Sequence, residues 1–190
     1  FPHAGYLTIN ISSPNTEGLR DFHNQDELEK LLLGINKIKK DKNISKPLVL
    51  KISPDINNDD VGKIIELILK FKISGVIVSN TTDRNRENLS DVQKNEIGGL
   101  SGKPLKDLST KLIKKFYKES KGKIVIIGVG GVDTGQSAFE KISAGARAVQ
   151  LYTGMVYKGP GVVKDMKKEL ISILKKENLK KISEAVGISA

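Results

Sequence analysis

Five short apolar runs rich in β-branched residues punctuate the chain, at positions 6–12, 48–52, 75–80, 123–129 and 148–153. They are nearly continuous rather than alternating, which predicts parallel strands covered on both faces. Between them, apolar residues fall at helical spacing: Leu28, Leu31, Leu32, Ile35 and Ile38, then Ile64, Leu67, Ile68 and Phe71, then Leu108, Leu112, Ile113 and Phe116. Ala138, Phe139 and Ile142 form a shorter version, and Val163, Met166, Leu170, Ile173 and Leu174 close the series. A last short helix is expected around 181–186. Asp59 and Thr134 are placed to cap the second and fourth helices, and Gly145 to end the fourth.

Strand and helix therefore alternate five times, which demands parallel strands and right-handed crossovers. Two architectures satisfy that order. A doubly wound open sheet is complete with five strands. A closed (β/α)8 barrel needs eight and about 250 residues, so 190 residues would supply only part of one. Spacing leaves both open. No repeat or linker interrupts the chain, so residues 1–190 read as belonging to one domain. Residues 83–96 are the one long polar insert, following the third strand, where barrel enzymes place mobile loops.

Composition narrows the chemistry. The chain has no cysteine, which removes disulfides, thiolate nucleophiles and Cys metal sites together. Only His3 and His23 offer imidazole, and their spacing matches no metal motif, so no metal is expected. A net charge of +10 raises the question of nucleic acid or an anionic membrane. The lysines, however, are spread over predicted helices, as at Lys39-Lys40, Lys114-Lys115 and Lys175-Lys176, where solvated faces account for them. The few aromatics are not interleaved with these runs, and no nucleic-acid partner is expected. No apolar stretch approaches the roughly 18 residues of a membrane span. Phe1-Pro2-His3 lacks the features of a signal peptide.

Polar residues gather where each predicted strand ends. The first ends in Asn10-Ile11-Ser12-Ser13-Pro14-Asn15-Thr16, the second in Lys51-Ile52-Ser53-Pro54-Asp55, the third in Ser79-Asn80-Thr81-Thr82. The fourth ends in Gly128-Val129-Gly130-Gly131 and the fifth in Tyr152-Thr153-Gly154. In an α/β sheet or barrel such ends share one rim, where ligands bind. Taken singly, each has a structural explanation: turn chemistry for Ser-Pro-Asn-Thr, a snorkelling surface lysine for Lys51, an Asx turn at Asn80. The glycines do not complete G-x-G-x-x-G, because position 133 is Asp, which weakens a dinucleotide reading. A glycine-lined strand end before a helix still suits a phosphate.

The segment Asn10-Ile11-Ser12-Ser13-Pro14-Asn15-Thr16-Glu17-Gly18-Leu19-Arg20 is similar to the active-site segment of quinone-dependent dihydroorotate dehydrogenases. Five further segments follow in that family's order: 50–55, 78–82, 98–105, 127–131 and 149–153. The resemblance spans essentially the whole chain and implies strands four to eight of a (β/α)8 TIM barrel. It implies that Ser13 is the base taking the C5 proton of dihydroorotate while hydride leaves C6 for FMN, with Thr16 as relay partner through a water. The related cytosolic class has Cys at that position, so serine here points to the quinone class. Asn10, Asn15, Asn80 and Thr81 would hydrogen-bond the pyrimidine. Lys51 would stabilise negative charge on the reduced flavin, with Asn10 also near the cofactor. Ser79, Ser101, Gly102 and Gly130 would line the flavin, and Gly131, Tyr152 and Thr153 would hold its phosphate.

The family's first three strands, its substrate-binding lysine and the helical pair that forms the quinone tunnel have no counterpart here. The resemblance thus implies a fragment, or a barrel completed by a separate chain. The whole enzyme would sit peripherally on the cytoplasmic or inner mitochondrial membrane, with this chain alone soluble. Alternatives are another flavin-dependent barrel oxidoreductase, of dihydropyrimidine or dihydrouridine type, and a non-catalytic half-barrel acting as an interaction subunit.

Overall fold

The computed structural model describes residues 3–84, 86–87 and 89–190. Phe1 and Pro2, used in the signal-peptide reading, and Asn85 and Asn88, inside the polar insert, lie outside the described residues. The strands are β1 (Leu7–Asn10), β2 (Leu48–Ile52), β3 (Gly75–Val78), β4 (Ile126–Val129) and β5 (Ala148–Gln150). They form one sheet in the order β1-β2-β3-β4-β5, with every neighbouring pair parallel. A doubly wound sheet reverses its winding at a switch point; this one never does. The order is that of a β/α-barrel arc, which decides between the two architectures.

The arc is curved. Gln150 Nε2, on β5, donates to Tyr6 Oη, beside β1, at 3.3 Å. In a flat sheet those two strands would stand about 19 Å apart, four spacings of roughly 4.8 Å. Two side chains meet only if the sheet curls toward closure.

Helices α1 (Gln25–Asp41), α2 (Asn58–Lys70), α3 (Lys106–Glu119), α4 (Gly135–Ser143), α5 (Thr153–Lys158) and α6 (Val162–Lys176) follow their strands. Asn24 caps α1, its side chain accepting the Asp26 N–H. Thr134 and Ser137 form a capping box on α4, and Gly145, at φ +123°, lets the chain leave that helix. The cap position of α2 belongs to Asn57, while Asp59 sits inside the first turn, where its charge favours the dipole. A 3-10 turn, Ile182–Ala185, stands where the last helix was expected.

Three strands stop earlier than their apolar runs. After Asn10 the backbone turns to bond side chains, and Ser12 N–H donates to Asn10 Oδ1. After Val78 the Ser79 and Asn80 N–H groups reach Val129 O and Ile52 O of the neighbouring strands at 3.2 and 3.0 Å. At the fifth run Thr153 begins α5, a helix that apolar spacing did not suggest. The fourth run starts late, with β4 beginning at Ile126.

The main core lies between the outer face of the sheet and α1–α3. Leu50, Ile52, Val76, Val78 and Ile126 meet Leu28, Leu32, Ile64, Ile68, Ile113 and Phe116, all fully buried. A second cluster, Val132, Ala138, Val162 and Met166, joins α4 to α6. The inner face is different. On β1, Thr8 and Asn10 are exposed while Leu7 and Ile9 are half-buried, and Ala148 on β5 is exposed. Cover on both faces therefore holds for β3 but not for the edge strands, where Thr8, Asn10 and Ala148 are exposed.

One charged group is buried in the outer layer. Lys141 Nζ donates to Lys106 O (2.8 Å), Ser109 Oγ (2.6 Å) and Thr110 Oγ1 (2.6 Å), tying α4 to the first turn of α3. No carboxylate touches it among the described residues, so burial dominates and pushes its pKa down to about 7. Between pH 7 and its ordinary 10.5 the unfolded chain holds a proton that the folded chain lacks, so folding stability falls as pH drops through that window. The stability difference between wild type and Lys141→Met, from urea unfolding at several pH values, should grow from pH 7 to 9, by at most about 1.4 kcal/mol per unit. A pH-independent difference would show that the lysine stays charged. In the core, Phe116→Ala should cost about 3–5 kcal/mol in the same assay, whereas Val92→Ala, at an exposed position, should change stability by less than about 0.5 kcal/mol.

Candidate active site

Parallel pairing puts the five strand ends on one rim. Asn10 pairs with Lys51, Lys51 with Ile77, and Val129 with Gln150. Residues just beyond these pairs leave the core and are free to be polar. A cavity of about 1240 Å³ opens there, walled by Lys51, by 79–81, by 96–105 and by 129–133 and 150–154. All of the expected cofactor set except Asn10 faces it: Lys51, Ser79, Ser101, Gly102, Gly130, Gly131, Tyr152 and Thr153, together with Asn80 and Thr81. The volume exceeds the roughly 300–1,000 Å³ of ordinary ligand pockets and leaves room for a large ligand.

One end of this cavity presents free backbone N–H groups. Among the described residues, the N–H groups of Gly131, Thr153 and Gly154 have no protein acceptor. Thr153 and Gly154 open α5, whose first N–H groups are necessarily free of helical partners. Gly130 and Gly131 have φ of +116° and +68°, and a Cβ on either would lie 2.6–2.7 Å from Ser109 Oγ or Lys106 Cβ. Only glycine lets the backbone turn there. Ser101 Oγ and Thr153 Oγ1 sit 2.8 Å apart and tie the loop before α3 to the start of α5.

Elsewhere on the cavity wall stands Lys51. Burial lowers its pKa, and among the described residues its ammonium makes no hydrogen bond or ion pair. A half-buried cation without a protein partner suits a ligand that gains negative charge.

The segment after β1 lies alongside. Ser13 Oγ accepts the Asn15 N–H at 3.2 Å, and Thr16 Oγ1 donates to it at 3.5 Å. Asn15 lines an adjoining hollow of about 540 Å³ with Pro14, Glu17 and Asp83, and both hollows share Ile97 and Gly98. Asn10 and Asn80 are joined through a residue to which sequence reading gave no role. Ser12, fully buried, donates to Asn10 Oδ1 at 2.6 Å and accepts from Asn80 Nδ2 at 2.9 Å. Asn80 Oδ1 in turn accepts the Thr81 N–H. Asn10 and Asn80 are thereby fixed in orientation, while Ser13, Asn15 and Thr16 remain accessible.

A charged cluster binds three rim loops together. Arg20 donates to Asp83 at 2.7 Å and to Asp55 at 3.3 Å, and Asp55 also accepts Thr82 Oγ1 at 2.6 Å. The Asp55 side chain is only 4% exposed, and burial pushes its carboxyl up. Burial acts in the same sense on Asp83, but its hydrogen bond with Asp55 and the Arg20 guanidinium outweigh that and hold it down. The polar insert is closed at its base by the Thr82–Leu100 bridge, and Arg86 donates to the carbonyls of Lys94, Glu96 and Gly98. Sequence spacing gives no signal for these ties, because their partners come from different loops. Among the described residues no group of three acidic, His or Cys side chains could hold a metal, and no helix is long and apolar enough to cross a membrane.

Fold and rim together define a β/α-barrel domain with a large cavity, lined in part by free backbone N–H groups, at the strand C-termini. The family profile of dihydroorotate dehydrogenase matches residues 2–174. The chain belongs to the dihydroorotate dehydrogenase family. It is 45% identical to the dihydroorotate dehydrogenase (quinone) of Trichodesmium erythraeum, over 97% of this chain and 50% of that protein. It is 44% identical to the mitochondrial dihydroorotate dehydrogenase (quinone) of Mus musculus, over 98% and 48%. A crystal structure of DHODH from Eimeria tenella in complex with ferulenol superposes with a TM-score of 0.92 at 36% identity, covering 98% of this chain and 54% of that one. The chain spans about half the length of the curated relatives it matches.

Proposed function

We propose that the large cavity binds FMN and that the protein to which this chain contributes oxidises dihydroorotate to orotate, handing the electrons to quinone in pyrimidine biosynthesis. The observation that carries this reading is the pairing, on one cavity, of a Lys51 ammonium and the N–H groups of Gly131, Thr153 and Gly154, all without a protein partner among the described residues. A ring that gains negative charge and a phosphate on the same molecule suit those two features.

The residues present fit the group. Gly131, Tyr152 and Thr153 would hold its phosphate at the start of α5, with Ser79, Ser101, Gly102 and Gly130 along its length and Lys51 beside the ring, while Asn10, outside the cavity wall, would serve the substrate alone. FMN supplies the acceptance of hydride from C6 of the substrate. Ser13 takes the C5 proton. A serine hydroxyl is a weak base, so its own proton must leave as it takes the substrate's; the Asn15 N–H orients the hydroxyl, and Thr16, with its hydroxyl turned from donor to acceptor, would pass that proton on to solvent through a water. Asn10, Asn15, Asn80 and Thr81 meet the amide and carboxylate edges of the pyrimidine, and the Ser12 bridge holds two of them in place.

The edge strands β1 and β5 each leave one side unpaired within this sheet, and the curl between them leaves a gap. We propose that three further strands, from the same protein or a partner chain, fill the gap and cover the inner face, and that a region outside these residues meets the quinone-bearing membrane. An eight-stranded barrel with layered interior side chains requires such strands.

Ser13→Ala should slow dihydroorotate-dependent flavin reduction roughly 100- to 10,000-fold, the usual worth of a positioned base, and leave FMN affinity unchanged. Stopped-flow absorbance measures the first and fluorescence titration the second. Ser13→Cys should keep part of the activity, because a thiolate also accepts the proton. Reduction of the Ala variant at the wild-type rate would remove Ser13 from the mechanism. Lys51→Met should lower the flavin midpoint potential and slow its reduction. An unshifted potentiometric titration would return Lys51 to the status of a surface lysine.

A further inference from the structure

His23 sits at the end of the 3-10 turn Leu19–His23, which closes the segment carrying Ser13. Its ring is buried and both nitrogens are engaged. Nε2 lies 3.1 Å from the Ser53 backbone nitrogen, and Nδ1 lies 2.8 Å from the Arg20 carbonyl oxygen. Neither partner has a choice of role: an amide N–H only donates and a carbonyl only accepts. The ring must therefore be neutral, with its proton on Nδ1 and its lone pair on Nε2.

We propose that His23 is a positioning residue that fastens the Ser13 segment to the end of β2, and that protonation unfastens it. Ser53 stands two residues beyond Lys51, so this bond joins the backbone that presents the base to the backbone that presents the cavity's cation. An imidazolium would turn an Nε2–H directly against the Ser53 N–H, two donors face to face in a buried space. The surroundings resist that charge: burial lowers the His23 pKa first, and the Arg20 guanidinium, from the same turn, adds to it. Arg20 O as acceptor and Asp60, from α2, act in the opposite sense and are outweighed. Among the described residues two other ties join these loops: the Ile11 N–H donates to Lys51 O at 3.2 Å, at the start of the segment, and Arg20 pairs with Asp55 and Asp83 through side chains, which fixes the backbone less directly.

This inference rests on the proposed function only in naming Ser13 as the base, and its principal tests need neither cofactor nor substrate. The chain has two histidines, so imidazole ¹⁵N–¹H correlation spectra are readily assigned. His23 should show the Nδ1–H tautomer and protonate below the ordinary value of about 6.5. Amide exchange in residues 11–22, corrected for the intrinsic pH dependence, should rise about tenfold as pH falls through that transition, the equivalent of one lost hydrogen bond. His23→Gln offers an acceptor to Ser53 and a donor to Arg20 without a titrating charge. It should keep the segment protected and abolish the acid transition. His23→Leu should lose protection at every pH. In the assembled enzyme, the Gln variant should also lose the corresponding acid limb of the rate of dihydroorotate-dependent reduction. An Nε2–H tautomer, an ordinary titration, or the same acid loss of protection in the Gln variant would overturn the proposal, whether or not the Leu variant folds. A protein that binds no flavin yet shows the His23-dependent transition would sink the functional reading and leave the fastening intact.

Discussion

The constraint on which the rest of the molecule depends is the parallel register of the five strands. It sends every chain direction the same way, so all strand C-termini reach one rim, and α1–α3 return on the outer face. The outer face then becomes a conventional core, with Leu50, Ile52, Val76, Val78 and Ile126 packed on helices. That burial lets the rim be polar, although some of its residues, such as Arg20, Asp55 and Asp83, tie the loops together. Lys51 pairs in the ladder with Ile77 and still presents an ammonium to the cavity, because successive side chains of a strand point to opposite faces.

The same alternation explains why the sheet has one dry side and one wet one. Leu7 and Ile9 turn toward the helices, whereas Thr8 and Asn10 turn inward and are exposed. An inner face with exposed edge-strand residues contributes little hydrophobic stabilisation, so the chain's stability rests on the outer layer and on polar ties such as Lys141. The curl drawn by Gln150 and Tyr6 brings the open edges toward each other without pairing them. Fold stability and ligand binding thus draw on different faces, and only the outer one is completed by the residues described.

Much of this organisation was legible in the sequence because it is local. Apolar runs gave all five strands, helical spacing gave five of the six helices, and polar strand ends gave the rim. Spacing alone did not decide between barrel and doubly wound sheet, since strand order is a long-range property. The helix α5 escaped notice because Thr153–Lys158 has no buried residue and hence no apolar stripe. Ile38 fits the periodicity of α1 yet is 57% exposed, in the last turns of the helix. Ser12, Asp55 and His23 were invisible as functional positions for a different reason. Their partners are Asn80, Thr82 and Ser53, distant in sequence, and no spacing rule marks a side chain that bonds a backbone group 30 residues away. The resemblance to a known family supplied residue roles that periodicity does not contain.

Two buried lysines show how structure separates support from chemistry. Burial lowers the pKa of both Lys51 and Lys141, so a perturbed value alone does not distinguish them. Their partners do. Lys141 is fully enclosed and spends its hydrogen-bonding capacity on three oxygens of one helix turn, which leaves nothing for a ligand. Lys51 is only half-buried, faces the cavity, and has no partner among the described residues. A protein that removes a cation from water without satisfying it bears a desolvation cost that folding does not recover. Such a cost persists where a ligand offsets it, and a ring that becomes more negative during the reaction offsets it most when it is needed. That physical ground is why Lys51, rather than the more deeply buried Lys141, is the lysine proposed for the active site.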